Sequence, residues 1–377
     1  MKQSYTSFSN KLNISIVHYF NQLIISMIEF LKYSFASICC MMYSSLNKGV
    51  ITMRAVQINV DSKELFIGND IMPTIGDDEL LVKVHATALN RADILQKYGK
   101  YPVPPGASPI LGLEMSGMIE EIGKNVTNWK IGDRVCGLLP GGGYAEYVSL
   151  PSQLAIPIPD DMTFEEAAAI PEVFLTAYLN VFELGRLKEK ETVLIHAGAS
   201  GVGTAAIQLA KEFGANSIVT AGTKEKLDFC LQLGASHAIN YKNQNFQTEI
   251  ESITNGKGVD LILDFVGADY FHQNIQSLNT NGRLILIGTM SGSKINDFNL
   301  LPLLMKRISM IGSTLRSQTL EQKTYLTNQF IQTVLPLIES KKIKPVIDTI
   351  VSWQEVNEAH QRMEKNLNIG KIVLKID

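Results

Sequence analysis

The sequence predicts an α/β protein: an antiparallel, barrel-like domain, then a doubly wound parallel sheet, then a β-rich segment that can return to the first domain. Three observations predict it. Over 53–171, short β-like runs lie between Gly and Pro turns, the punctuation of an antiparallel barrel. Over 172–307, apolar strands alternate with helical segments, which implies a parallel sheet covered on both faces. Over 308–377, β-like runs reappear around one helical stretch. At roughly 100–200 residues per domain, the 377-residue chain has room for two domains and an appendage.

Composition narrows the function classes. Charged residues make up 19% and apolar residues 45% of the chain, which excludes a disordered protein. The 34 basic and 37 acidic residues give a formal net charge of −3, so no basic excess draws the chain to nucleic acid. Of the four cysteines, Cys39 and Cys40 are adjacent and Cys136 and Cys230 are isolated. That is neither a disulfide framework nor the Cys-x-x-Cys spacing of a structural zinc. A reducing, cytoplasmic setting is expected.

Residues 1–52 have a texture of their own. Ile14–Tyr43 is apolar but interrupted by His18, Asn21, Gln22, Glu29 and Lys32, whereas a membrane span wants about 20 apolar residues with few or no charges. The segment contains no Arg and no small-residue cleavage site. It reads as an appendage, with mitochondrial targeting, a membrane anchor and translation upstream of the usual start left open. From Met53, the elements follow in order. Met53–Ile58 is a first strand. Leu80–Val84, Ser116–Ile122 and Tyr144–Val148 are further strands of the barrel. Thr192–His196, Ser217–Ala221, Leu261–Phe265 and Leu284–Ile287 are buried strands. Gly203–Phe213 and Glu225–Leu233 are the helices between the first of them. Ile308–Gly312 and Ile372–Ile376 are late strands around a helix over Leu320–Ser340.

The chemistry concentrates at one turn. The run Val193-Leu194-Ile195-His196 leads into Ala197-Gly198-Ala199-Ser200-Gly201-Val202-Gly203 and then a helix. Small residues let the turn tighten, let the backbone approach a pyrophosphate, and let the helix pack on its strand, while the helix N-terminus offers N–H groups and a positive dipole end. The pattern departs from the strict Gly-x-Gly-x-x-Gly at Ser200. A strand before and a helix after supply the context that makes it a dinucleotide turn. The next strand chooses the dinucleotide. An NAD site carries Asp or Glu about 20 residues on, at the ribose 2′-OH. Here the tip reads Gly222-Thr223-Lys224-Glu225-Lys226, with no acid at the tip itself. Small residues, a hydroxyl and cations suit a 2′-phosphate, so the expected cofactor is NADPH.

With that turn following a barrel-like domain, the chain resembles the medium-chain dehydrogenase/reductase superfamily. It is most similar to the zinc-free, zeta-crystallin-like quinone oxidoreductases, and within them to the stress-inducible NADPH-dependent branch of animals. The resemblance spans 53–377. It is carried by Ala88–Asp93, Tyr101–Ser108, Leu111–Glu114, Leu138–Tyr144, Ile195–Thr204 and Asn368–Leu374. It implies a Rossmann domain inserted between the two parts of a GroES-like β-barrel catalytic domain, a homodimer or homotetramer, and NADPH-dependent quinone reduction. The implied NADPH contacts fall on Ser200, Gly201, Val202, Gly222, Lys226, Tyr241 and Asn368. The nicotinamide-proximal Thr falls on Thr176. The substrate-side pair, Asn90 and Tyr101, would hydrogen-bond the quinone oxygen as charge develops on it.

No metal is expected. In the resembling frame Asn90 replaces the first Cys ligand and Leu113 replaces a His, and the zinc of a catalytic site needs three protein ligands. The six histidines, His18, His85, His196, His237, His272 and His360, show no ligand spacing. His196 stands at a strand tip and is read as structural. Without metal, the chemistry is hydride transfer from a positioned nicotinamide. Two other readings stay open: an enone or enoyl thioester reductase of the same superfamily, and a non-catalytic NADPH-binding structural or RNA-binding protein.

Overall fold

Fifteen strands in three sheets organise the computed structural model, which describes residues 51–377. The readings made for the 1–52 segment therefore lie outside the described residues, save for Ile51 and Thr52. The strands are β1 (Thr52–Ile58), β2 (Leu65–Ile71), β3 (Glu79–Ala88), β4 (Glu114–Ile122), β5 (Arg134–Leu138), β6 (Tyr147–Pro151) and β7 (Ala155–Pro157). They continue as β8 (Thr192–Ile195), β9 (Asn216–Ala221), β10 (His237–Asn240), β11 (Val259–Asp264), β12 (Leu278–Leu286), β13 (Ser309–Gly312), β14 (Ile347–Ser352) and β15 (Lys371–Lys375).

The barrel-like sheet has the order β14-β15-β3-β4-β5-β7, with β6 also paired to β3, and β1 and β2 form a ribbon beside it. The last strand does rejoin the first domain. β15 pairs antiparallel with β3, Val373 opposite Ala88 and Lys375 opposite Ala86. Both chain segments thus build one sheet, with the parallel domain inserted between them. Among the described residues no helix is long and apolar enough to cross a membrane.

The inserted sheet is parallel throughout, in the order β10-β9-β8-β11-β12-β13. This is the doubly wound order whose direction of winding reverses between β8 and β11, and a ligand crevice opens at that switch. The period-two rule of strands sorts the apolar side chains onto two faces. Val193, Ile195, Val219, Leu261, Leu263 and Ile285 enter one buried cluster. Leu194, Ile218, Ile262 and Leu284 enter the cluster on the other face. Burying each such side chain contributes about 1.5–3 kcal/mol, so neither face tolerates a register slip.

Three expected elements differ. Ile308–Gly312, expected in the final segment, supplies β13, which pairs with β12 and closes the inserted sheet instead. The helix expected over Leu320–Ser340 is two helices, Leu320–Thr333 and Leu335–Glu339. Pro336 lacks an N–H and its ring opposes the preceding turn, which breaks the helix there. The strand expected over Tyr144–Val148 begins at Tyr147. Tyr144 is instead fully buried, its hydroxyl donating to Asp93 Oδ2 at 3.2 Å.

Candidate active site

β8 delivers the chain into a turn that the backbone itself shapes. Ala197 has φ 52°, a left-handed conformation that costs a residue with a Cβ about 1–2 kcal/mol. Gly203 is required by contact: a Cβ there would lie 2.5 Å from both the Ala197 and Gly198 carbonyl oxygens. Ser200 caps the helix Gly201–Glu212, its Oγ accepting from the Gly203 N–H at 3.1 Å. An α-helix leaves its first N–H groups without partners. Gly201 and Val202, in that first turn, line a cavity of about 430 Å³ between the two domains. The last segment of the chain closes this turn from above, with the Gly370 N–H donating to the Ala199 carbonyl at 2.8 Å. Asn368 is braced beside it, its Nδ2 donating to the Gly370 carbonyl at 2.7 Å.

The far end of the cavity is formed by the tip of β9. Gly222, Lys226 and Tyr241 line it, together with Tyr270 from the helix Ala268–Ser277. A Cβ on Gly222 would meet the Tyr241 hydroxyl at 2.7 Å, so the glycine lets the two approach. The Thr223 hydroxyl is committed to capping, accepting from the Lys226 N–H at 3.3 Å. The structure separates the two lysines of this tip. Lys224 turns to solvent and pairs with Asp228 at 2.5 Å. Lys226 lines the cavity and donates to the Asn366 carbonyl at 2.6 Å, and partial burial lowers its pKa.

His196, at the strand end, is fully buried. Its Nδ1 meets Thr220 Oγ1 at 3.0 Å and its Nε2 meets Asn274 Oδ1 at 2.7 Å. Burial pushes its pKa down to about 4. A neutral imidazole wedged between β9 and a helix fits the structural reading made of it.

The opposite end of the cavity is a buried polar node. Asn90 caps the helix Arg91–Lys97, where the Asn90 N–H donates to Asp93 Oδ2 at 2.8 Å. Asp93 also accepts from the Gly112 N–H at 3.0 Å, and burial pushes its pKa up to about 6. The Asn90 amide works in both directions. Its Nδ2 donates to Glu114 Oε1 at 2.9 Å, and its Oδ1 accepts from Lys371 Nζ at 2.7 Å. Lys371 Nζ also reaches Glu114 Oε1 at 2.7 Å and the Leu89 carbonyl at 2.6 Å. Glu114 is 0% exposed and Lys371 3% exposed, so each charge depends on the other.

Of the ten residues singled out in the sequence, eight line this cavity: Asn90, Ser200, Gly201, Val202, Gly222, Lys226, Tyr241 and Asn368. Two do not. Thr176 is buried in the helix Pro171–Tyr178, from which Val173 reaches the cavity instead. Tyr101 lies in the loop after the helix Arg91–Lys97, with the Arg316 guanidinium over its ring at 5.2 Å. Burial and the Glu172 charge push its hydroxyl pKa up. Sequence reasoning missed Lys371, Glu114, Glu172 and Arg316. Lys371 and Glu114 do stand in the runs that carry the resemblance, but nothing local says that they meet. A slightly larger cleft of about 500 Å³ lies elsewhere, between Lys211, Glu212, Lys341 and Lys344, and holds none of these residues.

The node does not fit a zinc ion. Where a ligand set would converge, the Lys371 ammonium already occupies the oxygens of Asn90 and Glu114. The neighbouring Leu113 is apolar and buried, and the Cys136 thiol is pushed well above its ordinary pKa by burial. A dinucleotide does fit the rest. The glycine contacts, the open helix N-terminus and the half-buried cation at the β9 tip are a cradle for phosphates.

Residues 76–160 match the alcohol dehydrogenase GroES-like domain, and residues 201–355 match the zinc-binding dehydrogenase family. The chain is 33% identical over 317 residues to the synaptic vesicle membrane protein VAT-1 homolog of Danio rerio, covering 80% of this chain and 65% of that protein. It therefore spans just under two thirds of that relative's length. It is 31% identical over 335 residues to the quinone oxidoreductase-like protein 2 homolog of Nematostella vectensis, covering 88% of this chain and 91% of that one. A mycobacterial protein solved in complex with NADPH superposes with a TM-score of 0.77 at 28% identity, covering 86% of this chain and 100% of that one.

Proposed function

The chain belongs to the medium-chain dehydrogenase/reductase superfamily, in its quinone oxidoreductase-like group, and from that premise we propose that it is an NADPH-dependent, zinc-independent quinone reductase. One observation carries the reading. A single cavity joins a phosphate cradle lacking a carboxylate at the β9 tip to an Asn90 amide that an ammonium, rather than a metal, supports.

Gly201 and Val202 N–H groups bind the pyrophosphate, with Ser200 fixing their direction. Lys226, with Gly222 leaving room and Tyr241 beside it, takes the 2′-phosphate, and Asn368 holds the ribose side. Thr176 backs the nicotinamide end from inside its helix. Bound NADPH supplies a hydride. Tyr101, under Arg316, orients the acceptor and donates to its oxygen as charge develops there. Asn90, whose Nδ2 is already committed to Glu114 Oε1 and the Ala88 carbonyl and whose Oδ1 accepts from Lys371, shapes the wall beside it instead of donating as the sequence led one to expect. A quinone suits such a site because it accepts electrons without a Lewis acid. Quinones are the small-molecule partner, the setting is the reducing cytoplasm, and nucleic acid has no part in it.

The assembly is a homodimer or a homotetramer. Supporting this, β13 is an open sheet edge among the described residues, and beside it Leu301, Leu304, Met305 and Met310 are exposed. A second copy adding its own β13 would cover both the edge and the apolar side chains.

The test is NADPH and NADH oxidation by the full chain against ortho- and para-quinones, enones, an enoyl thioester and no acceptor. Quinones should be reduced fastest, with NADPH preferred. Turnover confined to enones or the thioester would replace the quinone reading with the enoyl reductase one. No turnover with any acceptor would favour the non-catalytic reading.

A further inference from the structure

We infer that Arg91 is a second cation of the cofactor's 2′-phosphate site, so that both domains grip one phosphate, with Asn366 as the bridge between them. The inference rests on the NADPH reading and adds to it a residue of the barrel-like domain.

Arg91 is the first residue of the helix Arg91–Lys97, one position after Asn90. Lys226 lies in the helix Lys224–Leu233 of the inserted domain. The two are far apart in the chain, yet both side chains end on one residue. Arg91 Nη2 donates to Asn366 Oδ1 at 2.7 Å, and Lys226 Nζ donates to the Asn366 carbonyl at 2.6 Å. Arg91 Nη2 also reaches the Met363 carbonyl at 2.9 Å. Arg91, Lys226 and Asn366 all line the cavity of about 430 Å³. A guanidinium and an ammonium thus stand on its wall with one residue between them.

The backbone of Asn366 makes this possible. It follows the helix Val356–Glu364 in a left-handed conformation, φ 53°, which Asn tolerates better than most residues with a Cβ. In that conformation its carbonyl turns to Lys226 and its side-chain oxygen to Arg91. Asn carries no charge, so it fixes the two cations without neutralising either.

No carboxylate neutralises them. Among the described residues neither Arg91 nor Lys226 forms an ion pair, and the acids of this loop are committed elsewhere. Glu364, two positions before Asn366, is taken by Lys97 at 2.8 Å. Asp348, which accepts from the Ile369 N–H, is taken by Arg362 at 2.6 Å. Glu225, next to Lys226 in sequence, is exposed. Two like charges on a half-buried wall repel each other, and a bound anion removes that cost. The remaining donors suit a dianion. Arg91 Nε and Nη1 make no hydrogen bond among the described residues, and the Lys226 ammonium has committed one of its three N–H groups. A guanidinium offers its N–H groups as a planar fork that matches phosphate oxygens in pairs. The pyrophosphate has its own donors at Gly201 and Val202, whereas Arg91 shares its acceptor residue with Lys226. The geometry therefore joins Arg91 to the 2′-phosphate.

The experiment measures binding by calorimetry for the full-length parent, Arg91→Met and Arg91→Lys, with NADPH, NADH, 2′,5′-ADP and 5′-AMP. The last two carry the same adenosine with and without the 2′-phosphate, and both lack the pyrophosphate. Arg91→Met should weaken NADPH and 2′,5′-ADP at least about tenfold, the loss of a charged hydrogen bond, and leave NADH and 5′-AMP within about twofold. Arg91→Lys keeps the charge without the fork and should cost about threefold, again for the two 2′-phosphorylated ligands alone. It carries the test if the Met variant does not fold. Equal losses for NADPH and NADH would make Arg91 a brace of the fold or a pyrophosphate ligand and overturn the inference, as would unchanged NADPH affinity. A parent that still prefers NADPH leaves the cofactor reading standing in both cases. A parent that binds the two dinucleotides equally overturns that reading and this inference together.

Discussion

At the phosphate end of the cavity, the groups offered to a ligand are backbone N–H groups within seven consecutive residues, Ala197–Gly203. At the acceptor end, they are side chains gathered from β4, β15 and two helices, and Lys371 meets Asn90 across 281 positions of chain. The first end is rigid because glycines let backbone touch backbone. The second is held by a charge balance: one buried ammonium against one buried carboxylate, with an amide between them. Loss of a side chain should therefore be felt mildly at the first end and severely at the second.

The sharpest way to break this comparison is Lys371→Met. It leaves Glu114 buried without its cation, and breaking such a pair costs about 3–5 kcal/mol. Urea unfolding should show a loss of that size, most of it recovered in Lys371→Met/Glu114→Gln. A loss under about 1 kcal/mol would mean that solvent, not Lys371, balances the node.

At the other end, Lys226→Glu should leave the fold intact and act on the cofactor. Removing a charged hydrogen bond to the 2′-phosphate costs about 1.5–3 kcal/mol, and the carboxylate adds repulsion. NADPH affinity measured by calorimetry should fall at least tenfold and NADH affinity should hold or rise. Equal affinities for both cofactors in the parent would remove the assignment of Lys226.

The smallest effect is expected from Tyr101→Phe, which deletes one donor and no charge. The loss in kcat/KM should stay below the ~10²–10³-fold effect of a strong oxyanion donor, and grow as the quinone becomes a poorer acceptor. Parent-like rates with every acceptor would show that Tyr101 only lines the approach.

The same contrast explains what could be read in advance. The turn after β8 was legible because strand, glycines and helix are contiguous, and a Cβ at Gly203 has nowhere to go. The missing acid at the β9 tip was legible for the same reason, although Thr223 turned out to cap a helix and Lys224 to face solvent. The joining of the two barrel segments was anticipated from the late strand at Ile372. The polar node was not. Lys371 reads as one more surface lysine in a β-run, and only the pairing of β15 with β3 carries it beneath Asn90. Glu172 reads as an ordinary first-turn acid until Glu114 is seen beneath its N–H. Tyr101 and Thr176, placed by resemblance alone, lie next to the cavity instead of on its wall.

The return of the final strand also sets a schedule. The ribosome releases the turn Ala197–Gly203 and the whole of Asn90's helix long before it reaches Gly370 and Lys371. Until those two residues emerge, the phosphate turn lacks the Gly370 N–H that closes on Ala199, and Glu114 lacks its ammonium. A chain halted short of Gly370 therefore lacks both the N–H that closes on Ala199 and the ammonium that balances Glu114, however well its inserted sheet has formed.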